Sequence, residues 1–105
     1  MYERREQWIH MLEAEWSKPD GYLGRIREGI FDEQRADDFV AMLAGIRLSP
    51  SDTVIDRRLV ALIWYIPIFL SFQKERIAER EGDVASFEQM TNRVHGMIEE
   101  ILGVP

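Results

Sequence analysis

The chain has 105 residues, 46% of them apolar, 10% aromatic and 30% charged, which is the composition of one globular domain over residues 1–105 and not of a disordered or collagen-like chain. Against 19 Asp+Glu stand 13 Lys+Arg, a net charge of −6; that sign opposes a phosphate backbone and an anionic membrane surface and argues against both as partners. The absence of cysteine excludes disulfide frameworks, thiol catalysis and Cys-based zinc sites together and fits a reducing compartment.

In chain order, residues from Met1 to Gln7 hold no apolar signal region and no small-residue cleavage site, so export is not expected and the cytoplasm is the expected location. From Tyr2 to Trp16, the residues Trp8, Ile9, Leu12 and Trp16 recur at helical steps and predict a first helix. Pro19 ends it, because proline lacks an amide hydrogen and disfavours helical geometry at Lys18 before it. A short helix should start at Tyr22, bury Tyr22, Leu23 and Ile26, and stop at Gly29 in left-handed geometry. Asp32 is placed as the N-cap of a third helix running to about Ile46, with Glu33 beside the positive helix end. Ala36, Phe39, Val40, Leu43 and Ile46 form its inner face; Glu33, Asp37 and Asp38 lie outside. Leu48 to Asp52 is turn-like, and Ser51 or Asp52 can cap the next helix.

From Thr53 to Glu81 the pattern is helical, but Pro67 leaves the carbonyl of Ile63 without its donor, so a kink or a break is expected there. Its apolar core, Leu59 to Phe72, would be about 21 Å long as a helix against the ~30 Å of a bilayer's hydrocarbon, and reads as buried in protein. Leu59, Leu62, Ile63, Ile66 and Leu70 make one stripe, while Val60, Trp64, Ile68, Phe69 and Phe72 cover much of the rest. Such a helix wants neighbours nearly all round: it is either the centre of the bundle or carries a second face for a dimer contact or a ligand. Gly82-Asp83 marks the last boundary, after which Val84, Phe87, Met90, Val94, Met97/Ile98 and Ile101 keep helical spacing to Gly103. No segment alternates with period two. The predicted class is all-α, a compact bundle of five or six helices around a central apolar helix kinked or broken at Pro67.

Chemistry-bearing patterns are few. His10 and His95 are the only histidines, and neither belongs to a Glu-x-x-His pair, since Gln7 and Asn92 stand three residues before them. Glu6 and His10 share a helical face, a spacing usual for a solvated pair. No Gly-x-Ser-x-Gly elbow occurs, and Gly21 and Gly24 follow no strand and lack a third glycine. Neither catalytic residues, a metal nor a cofactor is expected, and the chain reads as a non-enzyme.

Asp32, Glu33, Asp37 and Asp38 are the densest acidic group. Glu33 and Asp37, four apart on a helix, repel by about 0.2–0.5 kcal/mol. Two readings fit: an acidic ridge that meets a basic protein, or a cap plus a solvated face with Arg35 as offset. Trp8, Trp16, Tyr22, Trp64 and Tyr65 allow an aromatic ligand cage, although aromatics at helical spacing are more often core.

After the aromatic-rich first helix, the run Gly21-Tyr22-Leu23-Gly24-Arg25-Ile26-Arg27-Glu28-Gly29-Ile30-Phe31-Asp32 resembles small helical immunity proteins of bacterial toxin–immunity systems, over the first third of the chain. The resemblance implies a cytoplasmic protein that binds and blocks a cognate toxin without a cofactor. The expected function is a non-enzymatic protein-binding module with a basic protein partner; the alternative is a homo-oligomer, a homodimer for instance, that uses a Trp64/Phe69 surface for self-association or for a small apolar ligand.

Overall fold

Helix α1 (Tyr2–Ser17) is followed by α2 (Tyr22–Arg27), α3 (Glu33–Ala44), α4 (Arg57–Trp64), α5 (Ile66–Ser71), α6 (Lys74–Glu79) and α7 (Val84–Leu102). The computed structural model describes residues 2–49, 51 and 53–105, and the side chains of all of these but Tyr2 and Glu3. Among the described residues there is no strand, and the all-α class holds. Taken with α4, α5 and α6 as one twice-bent helix, the described residues form five helices; taken segment by segment they form seven. The radius of gyration is 13.9 Å, close to the ~13 Å expected for a compact chain of this length.

The turn from α1 into α2 is tight for a reason written at two positions. Gly21 offers no capping side chain, so Glu15 reaches over from α1 and its Oε1 accepts from the Tyr22 amide at 2.9 Å. A Cβ at Gly21 would meet the Ala14 and Glu15 carbonyl oxygens at 2.5 Å, so only glycine lets the two backbones approach this closely. At the other end of α2 the Gly29 amide donates to Ile26 O at 2.8 Å and the Ile30 amide to Arg25 O at 2.9 Å. With Gly29 at φ +81° this is a Schellman stop, as the sequence predicts.

Asp32 caps α3, its carboxylate accepting from the amides of Gln34 and Arg35. The α3 stripe of Ala36, Phe39, Val40, Leu43 and the trailing Ile46 is buried to the last residue. It packs on α7, whose Phe87, Met90, Val94, Ile98 and Ile101 are buried in turn. Asp83 caps α7 through the Ser86 amide and hydroxyl.

The segment between α3 and α7 departs from expectation in several ways. Helix α4 starts at Arg57, not near residue 53, because Asp56 provides the cap: its Oδ1 accepts from the amides of Arg58 (2.8 Å) and Leu59 (3.2 Å). Of the two predicted caps, Ser51 instead shares a hydroxyl contact with Ser49 at 2.8 Å, and Asp52 lies outside the described residues. The helical run is interrupted at Tyr65, two residues ahead of Pro67, and Pro67 sits in the first turn of α5, where its missing N–H leaves nothing unsatisfied. A second interruption at Phe72–Gln73 has no proline or glycine. There the amides of Phe72 and Gln73 bond three residues back, to Phe69 and Leu70, which tightens the turn and redirects the chain into α6.

Helix α6 closes like α2, with the Glu81 amide on Ala78 O at 3.0 Å and the Gly82 amide on Ile77 O at 2.9 Å. Here the left-handed position is Glu81 (φ 57°), one residue before the glycine that marks the boundary in the sequence. The stripe Leu59, Leu62, Ile63, Ile66, Leu70 is buried, between α1 on one side of α4 and α7 on one side of α5. Its opposite face is open among the described residues: Trp64 is 52% exposed and Phe72 72% exposed. The element with main contacts to three other helices is α7, which meets α3, α5 and α6.

Candidate functional site

Three surface regions carry candidate chemistry, and no residue belongs to two of them. The first is the predicted acidic group. Asp32 is occupied as a cap. The Asp37 carboxylate lies 3.5 Å from Arg93 of α7, and Asp38 accepts from the Gln34 side-chain amide at 3.1 Å. Arg35 turns towards Asp20 at 3.8 Å. Glu33, Asp37 and Asp38 are all exposed, and cap bonds and an arginine from α7 offset part of their field.

The second is the open face of α4 and α5. Trp64 and Tyr65 pack edge to face with ring centroids 5.5 Å apart, and Ile68 and Phe72 continue the exposed apolar surface along α5 and past its end. Phe69, expected on this surface, points inward: it is 7% exposed and meets Trp16 edge to face at 5.0 Å. Phe69 stands three residues after Ile66 and seven after Leu62, within the buried stripe at helical spacing, while Phe72 stands four after Ile68 on the open side. Trp16 anchors the corner from α1, with its indole Nε1 donating to Leu62 O at 2.9 Å and its ring stacked on Tyr65 at 6.3 Å. Residues 59–73 contain no charged side chain.

The aromatic residues do not form one cage. Trp16, Trp64 and Tyr65 are neighbours; Tyr22 is 2% exposed and stacked on Phe39 at 5.0 Å. Burial holds the Tyr22 phenol well above its ordinary pKa, so it stays protonated. Its hydroxyl has no hydrogen-bond partner among the described residues.

The third region has no local signal in the sequence. A cleft of about 590 Å³ opens between the start of α1, the loop after α3 and the start of α4. Its walls are Trp8, Leu48, Val54, Ile55 and Leu59, with Arg4, Arg5 and Arg47 and the capping Asp56 around them. Arg4 and Arg5 are 42 or more positions from Arg47 in the chain, so only the fold assembles this cationic group on an acidic protein. A shallower hollow is lined by Glu6, Gln7, His10 and Met11.

Among the described residues no three His, Asp or Glu side chains come together to hold a metal ion, and no helix is long and apolar enough to cross a membrane. Asp83 is held below its usual pKa by the Ser86 amide and hydroxyl, a capping effect. No protein-family model, no curated protein and no solved structure matches the chain.

Proposed function

We propose that this chain is a non-catalytic protein-binding module that engages its partner through the open aromatic face of α4 and α5. One observation carries the reading: Trp64, Tyr65, Ile68 and Phe72 stand exposed together inside a run without charge, on a chain that is 30% charged. Neighbouring exposed apolar side chains mark interaction sites, and aromatic anchors dominate the energetics of such contacts. The net charge of −6 selects a basic protein as the partner, with Asp32, Glu33, Asp37 and Asp38 as the acidic surface that raises the rate of encounter. The immunity-type resemblance agrees in kind: a cytoplasmic protein that occludes a basic toxin, with no cofactor.

A second reading uses the same face for a second copy of the chain. Exposure of Phe72 and Trp64 favours it equally, but two copies of like charge repel. Salt therefore separates the two: it weakens a complex with a basic protein and leaves a homodimer unchanged or tighter.

The test compares wild type with Phe72→Glu and with the Asp37→Asn/Asp38→Asn double variant, each immobilised in lysate of the source cells at low salt. A basic protein that is retained by wild type, released by salt, lost with Phe72→Glu and loaded more slowly by the double variant is the expected result. Retention indifferent to both variants overturns the reading. Sedimentation of the isolated protein as a salt-resistant dimer that Phe72→Glu dissociates assigns the face to self-association instead.

A further inference from the structure

We infer that the arginine-lined cleft between α1 and the start of α4 is a binding site for a small amphiphilic carboxylate, one with an apolar chain or ring and a single anionic head. None of its lining residues belongs to the aromatic face, so the inference stands apart from the protein-binding reading. The volume of about 590 Å³ falls within the ~300–1,000 Å³ usual for small-ligand sites. Trp8, Leu48, Val54, Ile55 and Leu59 supply an apolar lining, and the polar groups that join them are predominantly cationic.

Among the described residues the charge of the cleft is compensated from within only in part. Asp56 is already engaged, since its Oδ1 accepts from the Arg58 and Leu59 amides and its Oδ2 lies 3.6 Å from Arg5. Among the described residues Arg4 and Arg47, like Lys18, Arg25, Arg27, Arg57, Arg76 and Arg80, make no ion pair with a carboxylate; what sets these two apart is that they line an apolar hollow. A guanidinium presents a planar fork of donors that matches a carboxylate. Two such groups beside an apolar lining fit a ligand that brings one anionic head and an apolar body.

Decanoate is the probe, with decanol as the uncharged control and acetate as the control without an apolar chain. The readout is the Trp8 indole N–H signal in a nitrogen-15 spectrum, assigned by its loss in Trp8→Phe; Trp16 and Trp64 serve as internal references away from the cleft. Decanoate is expected to move the Trp8 signal saturably below its micellar range, at least about tenfold more tightly than decanol, while acetate leaves the signal in place. Arg4→Gln/Arg47→Gln, at two exposed positions that should not disturb folding, is expected to weaken decanoate about tenfold and leave decanol unchanged. No saturable Trp8 shift, equal affinity for decanoate and decanol, or indifference to the arginine variants would overturn the assignment. So would an acidic apolar peptide that displaces decanoate and binds more tightly, because the cleft would then belong to a protein segment. Either result leaves the Phe72→Glu experiment to stand or fall alone.

Discussion

Helix α7 and the α4–α5 corner are both rich in apolar residues, and they distribute them differently. Along α7 the apolar positions keep to one stripe, and Phe87, Met90, Val94, Ile98 and Ile101 are all buried while Glu88, Asn92, His95 and Glu99 face solvent. Along α4 and α5 the apolar residues run round the circumference; half the set goes inward and Trp64, Tyr65, Ile68 and Phe72 stay outside. A one-sided pattern states its own burial, whereas an all-round pattern leaves the outcome to how many neighbours arrive.

The sharpest way to test that contrast is truncation on both inner faces. Phe87→Ala should cost about 3–5 kcal/mol and Ile63→Ala about 2–5 kcal/mol in denaturant unfolding; comparable losses establish that the two stripes are equally core. A loss for Ile63→Ala below about 1 kcal/mol would mean that the corner is loosely packed and would break the comparison. At the junction of the two regions, Glu81→Gly should stabilise by about 1 kcal/mol, since left-handed geometry strains a residue with a Cβ and glycine adopts it freely. An unchanged denaturation midpoint would show that Glu81 is not held in that geometry in solution. On the outer face, Phe72→Ser should change stability by no more than about 0.5 kcal/mol, as for exposed sites generally. A larger loss in the isolated protein would mean that something already covers the face.

The smallest expected effect is a slope. Bonds from the Ser86 amide and hydroxyl lower the Asp83 pKa in the folded state. The stability from that cap is therefore complete above the unfolded carboxylate range of about 3.9 and is lost as pH falls through the lower folded value. Asp83→Asn, which keeps a cap but not the charge, should flatten this part of the acid limb in thermal melts between neutral and strongly acidic pH. Parallel curves for the two proteins would remove Asp83 from the account.

How legible each part is in the sequence depends on range. Local signals read well: the Asp32 cap, the Gly29 stop, the inner faces of α3 and α7, and the Gly82-Asp83 boundary all depend on residues within one or two turns. The sequence places the start of α4 too early because Thr53 to Ile55 continue an apolar rhythm, while the cap that decides the matter is Asp56. The Phe72–Gln73 bend has no breaker residue and shows only in the structure, where both amides bond three residues back. Burial of Phe69 follows from its three- and seven-residue spacing to Ile66 and Leu62, a signal that the all-round apolar pattern obscures, whereas the arginine cleft needs Arg4, Arg5 and Arg47 to meet across the fold. The acidic group lies in the open in the sequence, but its offset by Arg93 comes from another helix.

The bond from the Trp16 indole to the Leu62 carbonyl spans 46 positions. Every residue type carries a main-chain carbonyl, so no exchange of the side chain at position 62 can delete the acceptor. Donors of the indole's shape and reach are rare, and this one is supplied only at position 16. The mutational vulnerability of the α4–α5 corner is thus displaced out of the corner itself and lodged in the first helix.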